Sequence, residues 1–229
     1  MLIDNENIDR IGQGCNEESF KFVGIYLDEF LTWNQHVNYI CGKAAYAVYA
    51  LSKLKNVIPV SVKLTIYNSL FRSFIEYGIC AWGRSNCNSI NRIITLQKRA
   101  VRCIINAKYN SHTDPIFSKL GILKFKDLLD LNQICFVHKF ISNKLPPSFD
   151  NFFAKLLNFN RNLSLSLTSV RNKRMRNFAS YAMPLIWNSL PLQTKRITSI
   201  NALKKNYTAT LMSNYATECN IANCFSCNN

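Results

Sequence analysis

The chain has 229 residues, of which 48% are hydrophobic, so it is long and apolar enough for one large or two small domains with a buried core. It carries 28 Lys and Arg against 13 Asp and Glu, a formal net charge of +15, which makes a polyanion the natural partner. Residues 1–30 sum to −5 and the remainder to +20, so we expect the partner surface after residue 30.

The segment at 20–27, FKFVGIYL, predicts a β-strand in which Phe20, Phe22, Gly24 and Tyr26 share one face. Both faces are largely apolar, so this strand needs cover on two sides. We therefore expect the chain to begin in the middle of a larger unit. A turn at Asp28–Glu29 then leads into a helix.

The apolar spacing after residue 36 and the low number of glycines and prolines predict a mainly α-helical protein. One helix is predicted over 37–54 and a second from Val60 to about Trp82, with Gly78 and Gly83 at its weak end. A third is predicted from Ser89 to Ala107.

Further helices are predicted along the second half of the chain. Asp114 and Pro115 indicate the N-cap and first turn of a short helix that stops at Gly121, and 125–142 has the spacing of a long helix. Residues 158–180 are polar, basic and rich in serine, which indicates a loop or linker. After it, Leu185, Ile186 and Trp187 are expected to pack, and Ser199 is expected to cap a last helix over 202–212.

The third helix has one apolar and one cationic side. At 100° per residue the outward side carries Arg92, Thr95, Lys98, Arg99, Arg102 and Asn106. Such a face suits the phosphate backbone of a duplex, and a solvated helix surface is the equal alternative. The cluster RNKRMR at 171–176 indicates nucleic-acid contact, a nuclear import signal or a solvated loop.

Residues that carry catalysis are sparse. Metal-ion catalysis needs two or three converging carboxylates, whereas the only adjacent pairs, Glu17–Glu18 and Asp28–Glu29, are predicted to be structural. Of the three histidines, His36 is expected to pack or cap a helix start and His138 to be a satisfied core residue. A phosphate-binding glycine loop and a nucleophile elbow are missing from the sequence. We therefore assign no catalytic residue, metal ligand or cofactor.

Nine cysteines without a leading apolar segment indicate reduced thiols, hence a nuclear or cytoplasmic protein. The apolar runs are far shorter than the roughly 20 residues that span a bilayer, so no membrane partner is expected. Cys219, Cys224 and Cys227 have x4 and x2 spacing, which is half of a zinc site. A reduced, frayed tail is the favoured interpretation, and a zinc completed by a distant ligand such as His112 is the alternative.

The stretch FKFVGIYLDEFLTWNQHV at 20–37 resembles the segment that follows the catalytic palm in reverse transcriptases of non-LTR retrotransposons, the LINE-type and especially the jockey-like elements. The matching positions are Phe22, Gly24, Leu27, Asp28, Leu31, Trp33, His36 and Val37. Four later stretches resemble the same family in the same order: IYNSLFRSFIEYGICAWG (66–83), LQKRAVRCI (96–104), IWNSLP (186–191) and NALKKNYTATL (201–211). The resemblance covers roughly residues 1–212.

This resemblance implies an organisation in four parts: the end of the palm with a primer-grip hairpin (1–33), a helical thumb-like bundle (34–157), a basic linker (158–180) and a C-terminal helical segment (181–229). It implies a non-specific RNA or RNA–DNA duplex as partner. Phe22, Val23 and Gly24 would neighbour the primer, and the phosphates would be contacted by Lys43, Arg92, Lys98, Arg99 and Arg102.

The family's catalytic Asp-Asp turn has no counterpart, because the sequence contains no Asp-Asp pair. The family's Mg²⁺ would belong to a palm that lies upstream of this chain. We therefore expect a truncated polymerase product that binds template–primer duplex without extending it. The alternative is a non-catalytic helical adaptor derived from the thumb.

Overall fold

The computed structural model describes residues 19–85, 87–150, 152–153, 163–167 and 174–215. It begins with an antiparallel hairpin of β1 (Ser19–Phe22) and β2 (Ile25–Asp28). The N-terminal hairpin expected from the family resemblance is confirmed. The prediction of one continuous strand over 20–27 was wrong, because the chain reverses at Val23 and Gly24. Their φ angles are 45° and 82°, and positive values at both central residues are what a tight type I′ hairpin turn requires.

The turn changes which side chains share a face of the hairpin. Lys21 lies opposite Tyr26, whereas Phe20 and Phe22 lie opposite Leu27 and Ile25. Tyr26 therefore lies on the lysine face and not with the phenylalanines. Phe20 and Phe22 remain 52% and 60% exposed among the described residues.

Helix α1 (Asn34–Lys53) confirms the first predicted helix and begins three residues earlier than expected. The preceding Asp28 carboxylate accepts hydrogen bonds from the backbone N–H groups of Thr32 and Trp33, at 2.8 and 2.9 Å. A carboxylate just before a helix start satisfies amides that have no partner within the helix. The structural role predicted for Asp28 is thus confirmed.

The second predicted helix is interrupted. It consists of α2 (Val60–Ile66), a π-helical stretch (Tyr67–Arg72) and α3 (Ser73–Glu76), and a separate short α4 follows (Ile79–Trp82). The predicted end at Trp82 was wrong because Gly78 takes a left-handed conformation, with φ 61°. A Cβ there would lie 2.7 Å from Cδ1 of Ile25, so the glycine allows the hairpin to approach closely.

Helix α5 (Cys87–Ile104) ends three residues before the predicted Ala107. Asn106 has a left-handed φ of 59° and so leaves the helical face on which it was predicted. Its side chain instead accepts a hydrogen bond from Nζ of Lys63 at 2.7 Å. This ammonium is almost fully buried and also donates to the carbonyls of Ile104 and Lys55.

The next two helices follow the predictions closely. Helix α6 (Asp114–Leu120) ends at Gly121, and α7 spans Phe125–Ile141. The predicted N-cap was shifted by one residue, since Thr113 occupies that position and Asp114 is already helical. The Asp114 carboxylate pairs with Nζ of Lys124 at 3.1 Å. A 3-10 turn follows at Pro147–Phe149.

The C-terminal part contains a 3-10 turn (Arg174–Asn177), α8 (Ala179–Ser189), α9 (Leu192–Lys195) and α10 (Ile200–Ser213). Trp187 is buried as expected, but Leu185 was predicted to pack and is 48% exposed. Ser199 holds the N-cap position of α10 without a side-chain capping bond. Within the predicted linker at 158–180, residues 163–167 form no helix or strand and 174–177 form the 3-10 turn, but the linker was predicted to end too late, since α8 begins at Ala179. Its residues 158–162 and 168–173 lie outside the described ranges.

Among the described residues, two hydrophobic clusters form the core. The larger is built from α1, the π-helical stretch, α4, α5, α6 and one side of α7. The smaller lies between the other side of α7, α8 and α10. Helix α7 is buried on both sides for this reason, and the predicted mainly α-helical fold is confirmed.

Candidate nucleic-acid interface

Helix α5 separates an apolar side from a cationic side, as its sequence predicted. Its inward residues pack into the larger core, and they are Ile90, Ile93, Ala100, Val101 and Ile104. Arg92, Lys98 and Arg99 are exposed on the outward side, and Arg102 is half-buried. Four of the predicted site residues therefore share one helix face.

The four cations of this face differ in how firmly they are held. Arg92 donates to the side-chain oxygen of Asn38 on α1, and Nε of Arg102 donates to the Ser111 carbonyl at 2.8 Å. Burial, and then the neighbouring charge of Arg99, lowers the pKa of the Arg102 guanidinium. Within the described part of the chain, no carboxylate lies within 4.0 Å of the side-chain nitrogens of Lys98 or Arg99.

The charge around this face is almost entirely positive. Over residues 30–113 the sequence has eleven Lys and Arg and a single carboxylate, Glu76. That carboxylate already pairs with Nε of Arg72 at 3.1 Å. The segment that forms α1 to α5 is therefore a concentrated source of positive potential, which raises the local concentration of a polyanion. The scarcity of acidic residues over 30–113 is a signal in the sequence that points to the same surface and that helix periodicity does not reveal.

Lys43 lies apart from the α5 face. It is on α1, and its Nζ lies 5.6 Å from the ring centre of Tyr39 and 5.8 Å from that of Phe74. Lys21 of β1 approaches the same Tyr39 ring at 5.6 Å. Two ammonium groups thus share one aromatic ring between the hairpin and α1, a cation–π arrangement. No spacing in the sequence made the contribution of Lys21 predictable.

Phe22, Val23 and Gly24 form the tip of the hairpin. Val23 is 68% exposed, and its carbonyl accepts a hydrogen bond from the Tyr77 hydroxyl at 2.7 Å. The Tyr77 ring also lies 3.6 Å from the position of a Cβ on Gly24. Tyr77 therefore holds the tip against the helical body, a role that the sequence analysis did not assign to it.

His36 has the structural role that was expected. It is fully buried, its ring meets Trp82 edge-on at 5.5 Å, and its Nδ1 lies 3.4 Å from the Tyr26 amide. Burial lowers the pKa of His36 below its usual value. The second buried histidine, His138, lies with Nε2 2.8 Å from the Ile197 carbonyl. Its Nδ1 has no hydrogen-bond partner among the residues that the structure describes, so this histidine is only partly satisfied there.

The described residues contain no group of three or more His, Cys, Asp or Glu side chains placed to hold a metal ion. Cys219, Cys224 and Cys227 lie outside the described residues. Over the same described ranges, no helix has both the length and the apolar character needed to cross a membrane.

Comparison with known proteins finds that part of the chain is similar to RNA-directed DNA polymerases of mobile elements. The chain is 28% identical over 117 residues to the RNA-directed DNA polymerase from mobile element jockey of Drosophila melanogaster, which is 50% of this chain and 13% of that protein. It is 30% identical over 92 residues to the probable RNA-directed DNA polymerases from transposon X-element and transposon BS of the same species, in each case 39% of this chain and 10% of the relative.

These matches confirm the predicted resemblance to jockey-like reverse transcriptases over part of the chain. The matched part corresponds to about a tenth of the length of these relatives. No protein-family model and no solved structure matches the chain.

Proposed function

We propose that this reverse-transcriptase-derived chain binds the sugar-phosphate backbone of an RNA or RNA–DNA duplex without regard to sequence. The observation that carries this proposal is the outward face of α5, where Lys98 and Arg99 are exposed and have no carboxylate partner among the described residues. The relatives are polymerases that act on nucleic acid, which supports a partner of this chemistry.

The α5 face is suited to phosphate and not to base recognition. Lysine and arginine neutralise phosphates and release condensed counterions whatever the sequence, so affinity falls steeply as salt rises. Arg92 and Arg102 are fixed by neutral oxygen acceptors, Asn38 and the Ser111 carbonyl. Since these acceptors carry no negative charge, both guanidinium groups keep their full attraction for a polyanion.

The hairpin would be the second point of contact. Its tip, Phe22 to Gly24, is exposed, and Gly24 adds no side chain to it. A glycine where another backbone approaches closely is what such a contact needs. We propose that the tip touches the end of the duplex while α5 follows the phosphates, and that the chain by itself does not extend a primer.

A second candidate function is a helical adaptor that binds another protein. It is favoured by exposed phenylalanines: Phe20 and Phe22 on one face of the hairpin and Phe30, two residues after β2, are all more than half exposed. In that case the cationic face of α5 would only keep the bundle in solution.

Anisotropy titration of a labelled RNA–DNA duplex with the full chain separates the two functions. Titrations are run at several salt concentrations between about 50 and 200 mM, over which affinity for phosphate contacts falls strongly. The duplex-binding proposal requires measurable affinity at low salt. A plot of log affinity against log salt concentration should then have a negative slope with a magnitude of several units. If no affinity for the duplex can be measured at the lowest salt concentration, the duplex-binding proposal is wrong and the adaptor function is the remaining candidate. Incubation with nucleotides and Mg²⁺ tests whether the bound primer stays unextended.

A further inference from the structure

Two tyrosines stand on the outward face of α1. Tyr46 is 67% exposed and Tyr49 is 58% exposed, although the opposite side of the same helix is buried. Residues three apart on a helix are neighbours on one side, so the two rings project from the same patch. In the part of the chain that the structure describes, neither phenol hydroxyl has a hydrogen-bond partner. Both rings are too exposed to serve as core residues, so packing in the core does not account for two tyrosines at these positions.

Positive charge borders these rings. Nζ of Lys53 lies 5.5 Å from the centre of the Tyr49 ring, and Lys43 precedes Tyr46 by one turn. On the other border, α1 and α5 run side by side, and Asn38 on α1 binds Arg92 of α5. Neither helix contains an acidic residue. The tyrosines are therefore aromatic surfaces within a cationic area.

The same face of α1 is open between these groups. Gly42 and Ala45 are both exposed, and a Cβ added at Gly42 would meet no atom within 4 Å. Bulky neighbours on α1 therefore do not block the approach of a flat ligand to Tyr46 from this side.

We propose that this outward face of α1, defined by Lys43, Tyr46, Tyr49 and Lys53, is a stacking platform for unpaired bases of a single-stranded nucleic acid. The inference rests on the proposed function and names a second kind of substrate for it. Proteins that bind single strands combine aromatic rings, on which bases stack, with cations that follow the backbone. A base inside a duplex has both of its faces covered by neighbours, so exposed rings of this kind select unpaired bases. A single-stranded extension of a duplex bound at α5 would reach this platform by crossing the interface between α1 and α5.

Two oligonucleotides of equal charge provide the test. One is a thymidine strand of about 12 nucleotides, within the usual range of single-strand site sizes, and the other is an abasic strand with the same number of phosphates. At one fixed salt concentration we expect the full chain to bind the thymidine strand at least about 5-fold more tightly, since each stacked base strengthens binding by about 5- to 150-fold. Equal affinity for the two strands would overturn the inference.

Variants assign the difference to the two rings. The double variant Tyr46→Leu/Tyr49→Leu should bind both strands equally, whereas Tyr46→Phe/Tyr49→Phe retains the rings and should retain the preference. Both tyrosines are exposed, so neither double variant should lower the melting midpoint enough to unfold the protein at the assay temperature. A leucine variant that still prefers the thymidine strand would place the stacking elsewhere and overturn the assignment.

Duplex binding distinguishes this inference from the proposed function. The leucine variant has the same charge as the native chain, so its affinity for the RNA–DNA duplex and its salt dependence should not change. If the native chain binds the duplex but ignores the bases of the single strand, only the stacking platform is wrong. If it binds neither duplex nor single strand at low salt, both proposals are wrong.

Discussion

The Tyr77 hydroxyl donates a hydrogen bond to the Val23 carbonyl at 2.7 Å, and these residues lie 54 positions apart in the sequence. Val23 has a φ of 45°, which is costly for a β-branched residue. A hairpin of two four-residue strands is also marginal on its own. The hairpin tip therefore depends on this contact and on the close approach of Gly78 to Ile25.

Tyr77→Phe removes this hydrogen bond and keeps the ring. We expect the amides of 22–25 to exchange with solvent several-fold to about tenfold faster, since a hydrogen bond of this kind contributes about 0.5–1.5 kcal/mol. Hydrogen–deuterium exchange followed by mass spectrometry measures the effect. Tyr109→Phe is the matched control, because Tyr109 is 90% exposed and its hydroxyl has no partner in the described ranges. Unchanged exchange at the tip in Tyr77→Phe would show that the contact does not hold the hairpin.

Two glycine substitutions should have opposite effects on the free energy of unfolding. Gly78→Ala places a Cβ at a left-handed φ and 2.7 Å from Ile25, so we expect a loss of about 1–3 kcal/mol. Gly42→Ala lies in the middle of α1 with open space around the new Cβ, so we expect a gain of about 0.5–1 kcal/mol. Urea denaturation measures both. The same sign for the two variants would contradict the described approach of the hairpin.

Lys63→Met should strongly destabilise the bundle. The buried Lys63 ammonium donates hydrogen bonds to the Ile104 carbonyl at 3.3 Å, the Asn106 side chain at 2.7 Å and the Lys55 carbonyl. Methionine cannot donate these hydrogen bonds, so the three acceptors would lose this donor. We expect a loss of about 2–4 kcal/mol in the free energy of unfolding, measured by urea denaturation. Lys119→Met, at an exposed position of α6, should change it by less than about 0.5 kcal/mol. An equal change in the free energy of unfolding in the two variants would show that the hydrogen bonds of Lys63 do not stabilise the bundle.

His36 should make the protein less stable in mild acid. Its pKa in the folded state is lowered by burial, so the unfolded state binds the proton more tightly. The stability that the buried neutral His36 contributes is fully present above the unfolded pKa of about 6.5 and is lost as the pH falls below that value. The free energy of unfolding then decreases by up to about 1.4 kcal/mol per pH unit. Denaturation between pH 7.5 and about 5 measures this slope. His36→Gln should reduce this slope, and an equal slope in the native protein and the variant would exclude His36 as the cause.

The helical part of the fold was predictable because its periodicity is local. The amphipathic spacing that predicts α1, α5 and α7 depends only on neighbours in the sequence, and those helices agree with it to within three residues at each end. The turn at Val23–Gly24 was missed because valine is a poor signal for a positive φ. Gly78 was predicted as a weak end of the second helix, but the helix was continued to Trp82; the close approach of Ile25, which is remote in sequence, could not be predicted from local spacing.

The candidate interface was predictable only in part for the same reason. Helix spacing placed Arg92, Lys98 and Arg99 on one face of α5. The pairing of Lys21 with Lys43 across Tyr39 and the tie between Tyr77 and Val23 join elements that are far apart in the chain. Contacts of this kind follow from packing, which residue spacing does not encode.

The most direct test of the duplex-binding account compares two variants with the same change in charge. Lys98→Gln/Arg99→Gln removes two cations from the outward face of α5, and Lys119→Gln/Lys139→Gln removes two exposed cations from α6 and α7. The measurement is the slope of log affinity for an RNA–DNA duplex against log salt concentration. We predict that the α5 variant lowers the magnitude of the slope by about 2, roughly 0.9 for each phosphate that is no longer neutralised, and that the other variant leaves it unchanged. Equal slopes in the two variants would contradict the assignment of the α5 face.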